Sequence, residues 1–496
     1  MQSIRGTQKG LIVLLIVVLT RLLLLPWYPL MDTTEARYGE MARLMVETGN
    51  WVTPLFDYNV PFWGKPPLHT WMSASSLAVL GSNEFAVRFP HWLAAMFTLA
   101  VVGYFAKRLR LPVMSVLIIL ASTVVFTISA GAVMTDMALT LGLTLAMCGF
   151  YLCWQGDKLW GYIGFSGLAI GLLAKGPVAL VLFGIGTGLW LLWRYGPHKN
   201  GPIKMWQLLW QRTPLVTGTL LMLAIALPWY VMAERATPGF LNYFIVGEHW
   251  SRFVDSGWTG DLYGSAHDEV RGTIWVYFVV AAMPWSLFLP RAIYKLVKES
   301  RSSVVKPGNS VVENDSSVIG VLEAEGQAHQ QNEQQSKGLV SYLICWMIAP
   351  MLLFTLAGNI LPAYVLPGIP GLALLLGFAW RRSRLPGLNV IALCIPALLL
   401  ITVVVLNLGP GKDKSERWLL SQRSEALPTY YWHKQPFSAR FYSAGQADKI
   451  DRLDEVDSKR DYYLVADNKV LQEPKFAHCS EVTRNKYRGL LHCRRN

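Results

Sequence analysis

Asp32, Glu35 and Arg37 fall within six consecutive positions of "MDTTEARYGEMARLM", directly after an apolar run ending in "LLLLPWYPL". Lys65 and His69 follow in "FWGKPPLHTW", Asp136 in "VMTDMALT" and Lys175 in "GLLAKGPVAL". His249, Arg252 and His267 share the stretch "GEHWSRFVDSGWTGDLYGSAHDEVRG". A carboxylate beside an attacking hydroxyl can take its proton, and cations beside a departing phosphate stabilise the charge that develops there. Arginine supplies a bidentate fork for that purpose and lysine a point charge. A phosphate leaves without a general acid, so one of Asp32, Glu35 and Asp136 with two or three cations is enough, and an in-line displacement inverts the attacked carbon. Plainer roles compete at each position. Asp32 and Glu35 have the spacing of a helix cap and its box partner, and Asp136 could cap its own helix. Arg37 and Lys65 could meet lipid headgroups, Lys175 could snorkel from a span end, and His249 and His267 fit ordinary loop histidines.

The elements that must position these groups are membrane spans. The chain has 496 residues, 53% hydrophobic and 16% charged, with 20 Trp, against roughly 25% charge in soluble domains. Apolar runs of about 20 residues, the length of a bilayer crossing, recur near 11–30, 91–106, 112–132, 137–154, 159–174, 177–194, 214–232, 272–290, 339–357, 361–380 and 386–409. The first is long, keeps Arg21 and lacks a small-residue cleavage site, so it reads as a span and not as a cleaved leader. Basic residues concentrate in alternate loops, in "AKRLR", "RYGPHKNGPIKMWQLLWQR", "RAIYKLVKESR" and "WRRSR", which places the N-terminus in the cytoplasm and the C-terminal tail outside. The candidate groups then collect on the outer side, at span ends, where ionisable side chains are functional candidates. The net charge of +13 is read as topology and membrane-surface attraction; no nucleic-acid motif accompanies it.

Four segments lie outside the spans. In the outer loop 31–90, Tyr38, Met41, Ala42 and Met45 share one helical face, which predicts an amphipathic helix along the membrane surface. A second outer loop covers 233–271. The segment 299–338 is rich in Ser, Gln, Glu and Asn and reads as a disordered cytoplasmic loop. The chain thus divides into a membrane domain over 1–409 and a small α/β domain over 410–496, with "FSARFYSAG" and "DYYLVADNKV" expected as strands and "SEVTRNKYRGLLHC" as a helix. Cys479 and Cys493 in that tail are disulfide candidates, since an oxidising compartment permits one.

Set side by side, "TEARYGE", "GNWVTP", "GKPPLHTW", "MTDMALT", "LLAKGPVAL", "GEHWSRF" and "LPAYVLPGIPGLALL" resemble the dolichyl-phosphate-mannose protein mannosyltransferase superfamily, above all its bacterial undecaprenyl-phosphate aminoarabinose–lipid A transferases. The resemblance runs to about residue 380. It implies an all-α polytopic membrane protein of the GT-C type, with about 11–13 transmembrane helices, periplasmic amphipathic helices and the small C-terminal α/β domain. It implies a bacterial inner-membrane glycosyltransferase whose donor is a sugar on undecaprenyl phosphate, with lipid A or another periplasmic molecule as acceptor. It assigns Arg37 and Lys65 to the lipid phosphate and turns Asp136 toward the same place; Tyr38, Arg252 and Lys175 are further donor-binding candidates. Protein O-mannosylation and transport of a lipid-linked sugar without chemistry are the alternatives; ionisable groups at span ends, not along them, favour the enzyme. Two departures stand out. The family's adjacent Asp-Glu pair is Thr34–Glu35 here, with the aspartate moved to Asp32. The glutamate before its Lys-Pro, which helps to hold a zinc in the aminoarabinose branch, is Gly64, so neither metal nor cofactor is expected.

Overall fold

The computed structural model describes residues 2–196, 200–254, 258–264, 269–303, 337–424, 427–456 and 460–494; most of the segment expected to be disordered lies outside them. Helices dominate, and the chain is a multi-pass membrane protein. Among the described residues, seven helices are long and apolar enough to cross a membrane, or eight if the pair Thr273–Ala281 and Trp285–Glu299, bent by 98°, is one span. The seven include α4 (Glu84–Arg108), α7 (Thr135–Trp154), α9 (Val178–Tyr195) and α11 (Leu215–Ala236). The sequence runs are more numerous because apolarity alone does not report breaks. Run 112–132 divides into α5 (Val113–Ala121) and α6 (Val124–Ser129), where the Ser122 and Thr123 hydroxyls turn back onto the carbonyls of Ile118 and Ile119. Helix α8 (Lys158–Lys175) is diluted by four glycines.

Those glycines set the geometry of the site. A Cβ on Gly142 of α7 would lie 2.6 Å from the Gly167 carbonyl oxygen, and one on Gly149 would lie 2.5 Å from that of Trp160. Antiparallel α7 and α8 therefore touch backbone to backbone, as small residues allow in membrane bundles. The first turn of α7 and the last turn of α8 end at one level, which brings Asp136 beside Lys175.

Helix α1 (Gln2–Leu23) packs beside α5 in the bundle, and above that end sit the 31–90 segment and the tail. Helix α2 (Thr34–Thr48) does bury Tyr38, Met41, Ala42 and Met45, against Phe62, Ala74, Leu77 and Val87. It also buries Glu40 and Arg43, so it is enclosed by protein on more than one side. Helix α3 (Leu68–Leu80) follows a two-stranded turn of β1 (Leu55–Asp57) and β2 (Val60–Pro61).

The tail is a five-stranded sheet in the order β4-β3-β5-β7-β6, comprising β3 (Thr429–Trp432), β4 (Ala447–Ile450), β5 (Tyr462–Asp467), β6 (Cys479–Arg484) and β7 (Arg488–Cys493). Of the local expectations, "DYYLVADNKV" contains β5. The other two are corrected. "FSARFY" is the helix Phe437–Tyr442, the crossover between parallel β3 and β4, which needs such a connection. "SEVTRNKYRGLLHC" is the hairpin β6–β7. The Asn485 side chain accepts from the Tyr487 and Arg488 amides and fixes the turn. Cys479 pairs directly with Cys493 in that hairpin, and the two form a disulfide.

Candidate active site

Two sets of carboxylates and cations separate at the outer end of the bundle. The first is gathered by α7, α8 and the π-helical segment Asn242–Ser251. Lys175 Nζ donates to Asp136 Oδ1 at 2.6 Å and lies 4.1 Å from the centre of the Tyr364 ring. His249 is wedged against the same turn, its ring nitrogens 2.8 Å from the Phe244 oxygen and 3.2 Å from the Lys175 oxygen. Gly176, at φ +79, makes this approach possible, since a Cβ there would lie 2.5 Å from the Phe244 ring and 3.3 Å from His249.

Glu248 joins the remaining cations. Its Oε2 accepts from Lys65 Nζ at 2.9 Å and from Arg252 Nη1 at 3.1 Å. Arg252 also lies 3.5 Å from Asp261 Oδ2, and the Asn359 amide oxygen, correctly oriented, accepts from it. Burial alone would push the Glu248 carboxyl up, but Lys65 and Arg252 outweigh it and hold the group below the usual range. The Lys65 and Arg252 side chains keep 18% and 23% of their surface exposed, so both cations remain reachable. Arg37 donates to the Tyr263 carbonyl at 2.6 Å, lies over the Tyr38 and Phe62 rings, and keeps a buried Nε without a partner. Tyr38 meets the fully buried His69 edge to face at 4.5 Å. Burial, with His91 and Lys65 adding to it, lowers the His69 pKa to about 3, so this imidazole is neutral at physiological pH.

Asp32 and Glu35 are placed differently from the expectation that made them candidate bases. Asp32 accepts from the Ser438 amide at 3.1 Å and from the Ser438 hydroxyl, which joins the 31–90 segment to the tail. Burial raises its pKa despite those bonds. Glu35 forms a two-toothed pair with Arg88 at 2.8 and 2.7 Å. Arg88, with no exposed surface, also donates to the carbonyls of Leu25, Tyr28 and Pro29. Neither is an N-cap through its side chain, because Thr33 occupies that position. His267 lies outside the described residues. Sequence reasoning passed over Glu248, although Glu248 and Arg252 stand four apart in "GEHWSRF", the spacing of an ion pair on one helical face. It also passed over Asp261, Tyr263 and Tyr364, which only the tertiary fold brings in.

The zinc that the resemblance to the aminoarabinose branch implies does not fit these residues. Gly64 offers no ligand, both His249 nitrogens are turned to carbonyls, and Glu248 is shared by two cations. Among the described residues the one cluster with metal-ligand spacing is His478, Cys479 and Cys493, whose cysteines form the disulfide.

The helical membrane bundle, with cations and carboxylates gathered at one end and a small sheet domain over it, has the GT-C fold. Residues 11–244 match the family model described as dolichyl-phosphate-mannose-protein mannosyltransferase, and over that span the chain is similar to that family. Two similar relatives are named undecaprenyl phosphate-alpha-4-amino-4-deoxy-L-arabinose arabinosyl transferase. The one from Enterobacter sp. (strain 638) is 29% identical over 75% of this chain and 59% of its own length. The one from Edwardsiella ictaluri is 29% identical over 76% of this chain and 60% of its own. The chain thus spans about three fifths of these curated relatives. The crystal structure of ArnT from Cupriavidus metallidurans bound to undecaprenyl phosphate superposes with a TM-score of 0.73, at 17% identity, over 97% of both chains, and shares the fold.

Proposed function

We propose that this chain is a glycosyltransferase of the bacterial inner membrane, with its N-terminus in the cytoplasm and its C-terminus in the periplasm. It moves an aminoarabinose-like pentose or a hexose from undecaprenyl phosphate to lipid A or another periplasmic acceptor, with inversion at the anomeric carbon. The names of the relatives support the donor, and one observation carries the chemistry: Lys65, Arg252 and Lys175 stand around Glu248 and Asp136 at a single end of the bundle. Lys65 and Arg252, half-neutralised and partly exposed, receive the lipid phosphate, with Arg37 beside them. As the anomeric bond breaks, charge grows on that phosphate and their attraction strengthens, which is the differential binding that speeds a reaction.

Asp136 is the proposed base. Its carboxylate is paired with Lys175 and stands on a helix terminus, while Asp32 and Glu35 are committed to Ser438 and Arg88. Glu248 sets the spacing of the two cations. His69, neutral and buried, keeps the Tyr38 ring in place without adding charge. The test is transfer from synthetic undecaprenyl-phosphate aminopentose or hexose to lipid A in reconstituted vesicles, read as a mass gain of one sugar. No gain with any donor, while donor crosses the bilayer, would establish a transporter; sugar on protein with lipid A unchanged would establish a protein glycosyltransferase.

A further inference from the structure

At the other end of α8 the molecule holds a cavity that the proposed chemistry does not use. Gly161, on its wall, is fourteen residues before Lys175, about 21 Å along the helix axis. The cavity measures about 360 Å³ and is lined by Phe165 and Leu168 of α8, Gly184 and Gly188 of α9, and Met205 and Leu209 of α10 (Gly201–Arg212). That volume lies in the range of roughly 300–1,000 Å³ typical of small-molecule sites. Its walls are almost wholly apolar.

The two α9 glycines are the informative residues. Glycines in membrane helices let a neighbour approach closely, as Gly142, Gly149 and Gly167 do here. A Cβ on Gly184 or Gly188 meets nothing within 4 Å. They stand one turn apart on the same face and keep a trough open that no described residue fills. Gly184 and Leu192 are exposed at its edge, so the trough opens toward the lipid.

Charge identifies what lies there. Between Gly176 and Arg212 the sequence has no Asp or Glu, whereas Arg194, Lys204 and Arg212 each stand within two residues of a lining residue, Leu192, Met205 and Thr213. Helix α10 turns Met205 and Leu209 into the cavity and exposes Ile203, Trp206 and Trp210, the dress of a helix at a lipid–water boundary. We infer that this cavity binds one acyl chain of an anionic phospholipid from the leaflet opposite the proposed active site, with its phosphate held by Arg194 and Lys204. A polyprenyl tail descending from the far side would bring no anionic head to this basic rim.

The experiment uses the full chain purified from bacterial membranes in mild detergent, with bound lipid extracted and quantified by mass spectrometry. The expected result is about one phosphatidylglycerol or cardiolipin per chain, reduced at least fivefold in the Gly184→Leu/Gly188→Leu variant and retained in the Gly184→Ala/Gly188→Ala variant. Arg194→Gln/Lys204→Gln should keep a lipid but lose the preference for phosphatidylglycerol over phosphatidylcholine in native mass spectrometry of nanodisc-exchanged protein. Undiminished lipid in the leucine variant overturns the proposal, as does polyprenyl phosphate as the sole retained lipid. Should the leucine variant fail to fold, the glutamine pair decides: unchanged headgroup preference then overturns it.

Discussion

The Lys65–Glu248–Arg252 cluster and the seam between α2 and the tail use the same residue types in opposite ways. In the cluster, cations meet each carboxylate while keeping partial exposure, and the Arg37 Nε remains unpartnered. In the seam Asp32, Glu35 and Arg88 are committed. Arg88 divides its donors between Glu35 and three carbonyls. Glu84 takes the Tyr442 hydroxyl at 3.0 Å and Arg417 at 3.1 Å, and Arg440 reaches Asp57 at 2.8 Å. Saturated pairs hold structure together; cations with capacity left over can receive a ligand. The difference lies in coordination and exposure, which residue type alone does not reveal.

Removing a saturated partner should have the largest effect. Glu35→Ala leaves Arg88 buried and uncompensated, and breaking such a pair costs about 3–5 kcal/mol. The expected outcome is a large loss of thermal stability in detergent, with the remaining folded protein still active per molecule. An inactive Glu35→Ala protein of unchanged stability would erase the distinction between seam and cluster.

Lys65→Ala should show the reverse pattern. Losing one donor to a developing oxyanion lowers turnover by about 10²–10³, while an ion pair with an exposed edge contributes about 1 kcal/mol or less to folding. Transfer of sugar in vesicles and a melting curve measure the two quantities on one preparation. A smaller effect is expected for Glu248→Gln, which keeps the shape but frees the cations from their shared anion. Turnover should fall about 10-fold with affinity for the lipid phosphate preserved or improved, a split visible as unchanged or lower KM.

The bundle was legible in the sequence because apolar run length and basic-residue bias are one-dimensional properties. The amphipathic face of α2 was legible for the same reason, through its helical period. What was not legible depends on pairings distant in the chain. Arg88 meets Glu35 across 53 positions and Ser438 meets Asp32 across 406, so the role of "DTTE" could not be read from its neighbours. The helix expected over "SEVTRNKYRGLLHC" is a hairpin in the structure. The register that a turn at Asn485 and a disulfide impose overrides that weak local preference. Glu248 was hidden by context: beside a histidine and a tryptophan it resembled part of a motif, and one of its two cations, Lys65, lies 183 positions away.

The smallest effect, and the one that separates anchor from base most cleanly, is that of Asp32→Asn. Burial raises the folded-state pKa of Asp32 above the ordinary carboxylate value, outweighing the Ser438 bonds. The folded protein therefore holds this proton more tightly than the unfolded chain does. Stability from this group is fully present below the unfolded pKa of about 3.9 and declines as pH rises through the raised folded value. Asparagine keeps an acceptor for Ser438 and never ionises, so that decline should vanish. At neutral pH the variant should melt at the same temperature as the parent or slightly above it, and it should transfer sugar at an undiminished rate. A base cannot survive amide replacement. Loss of turnover by 10² or more in a stable Asp32→Asn protein would return this aspartate to the chemistry and make the tail, through Ser438, part of the active site.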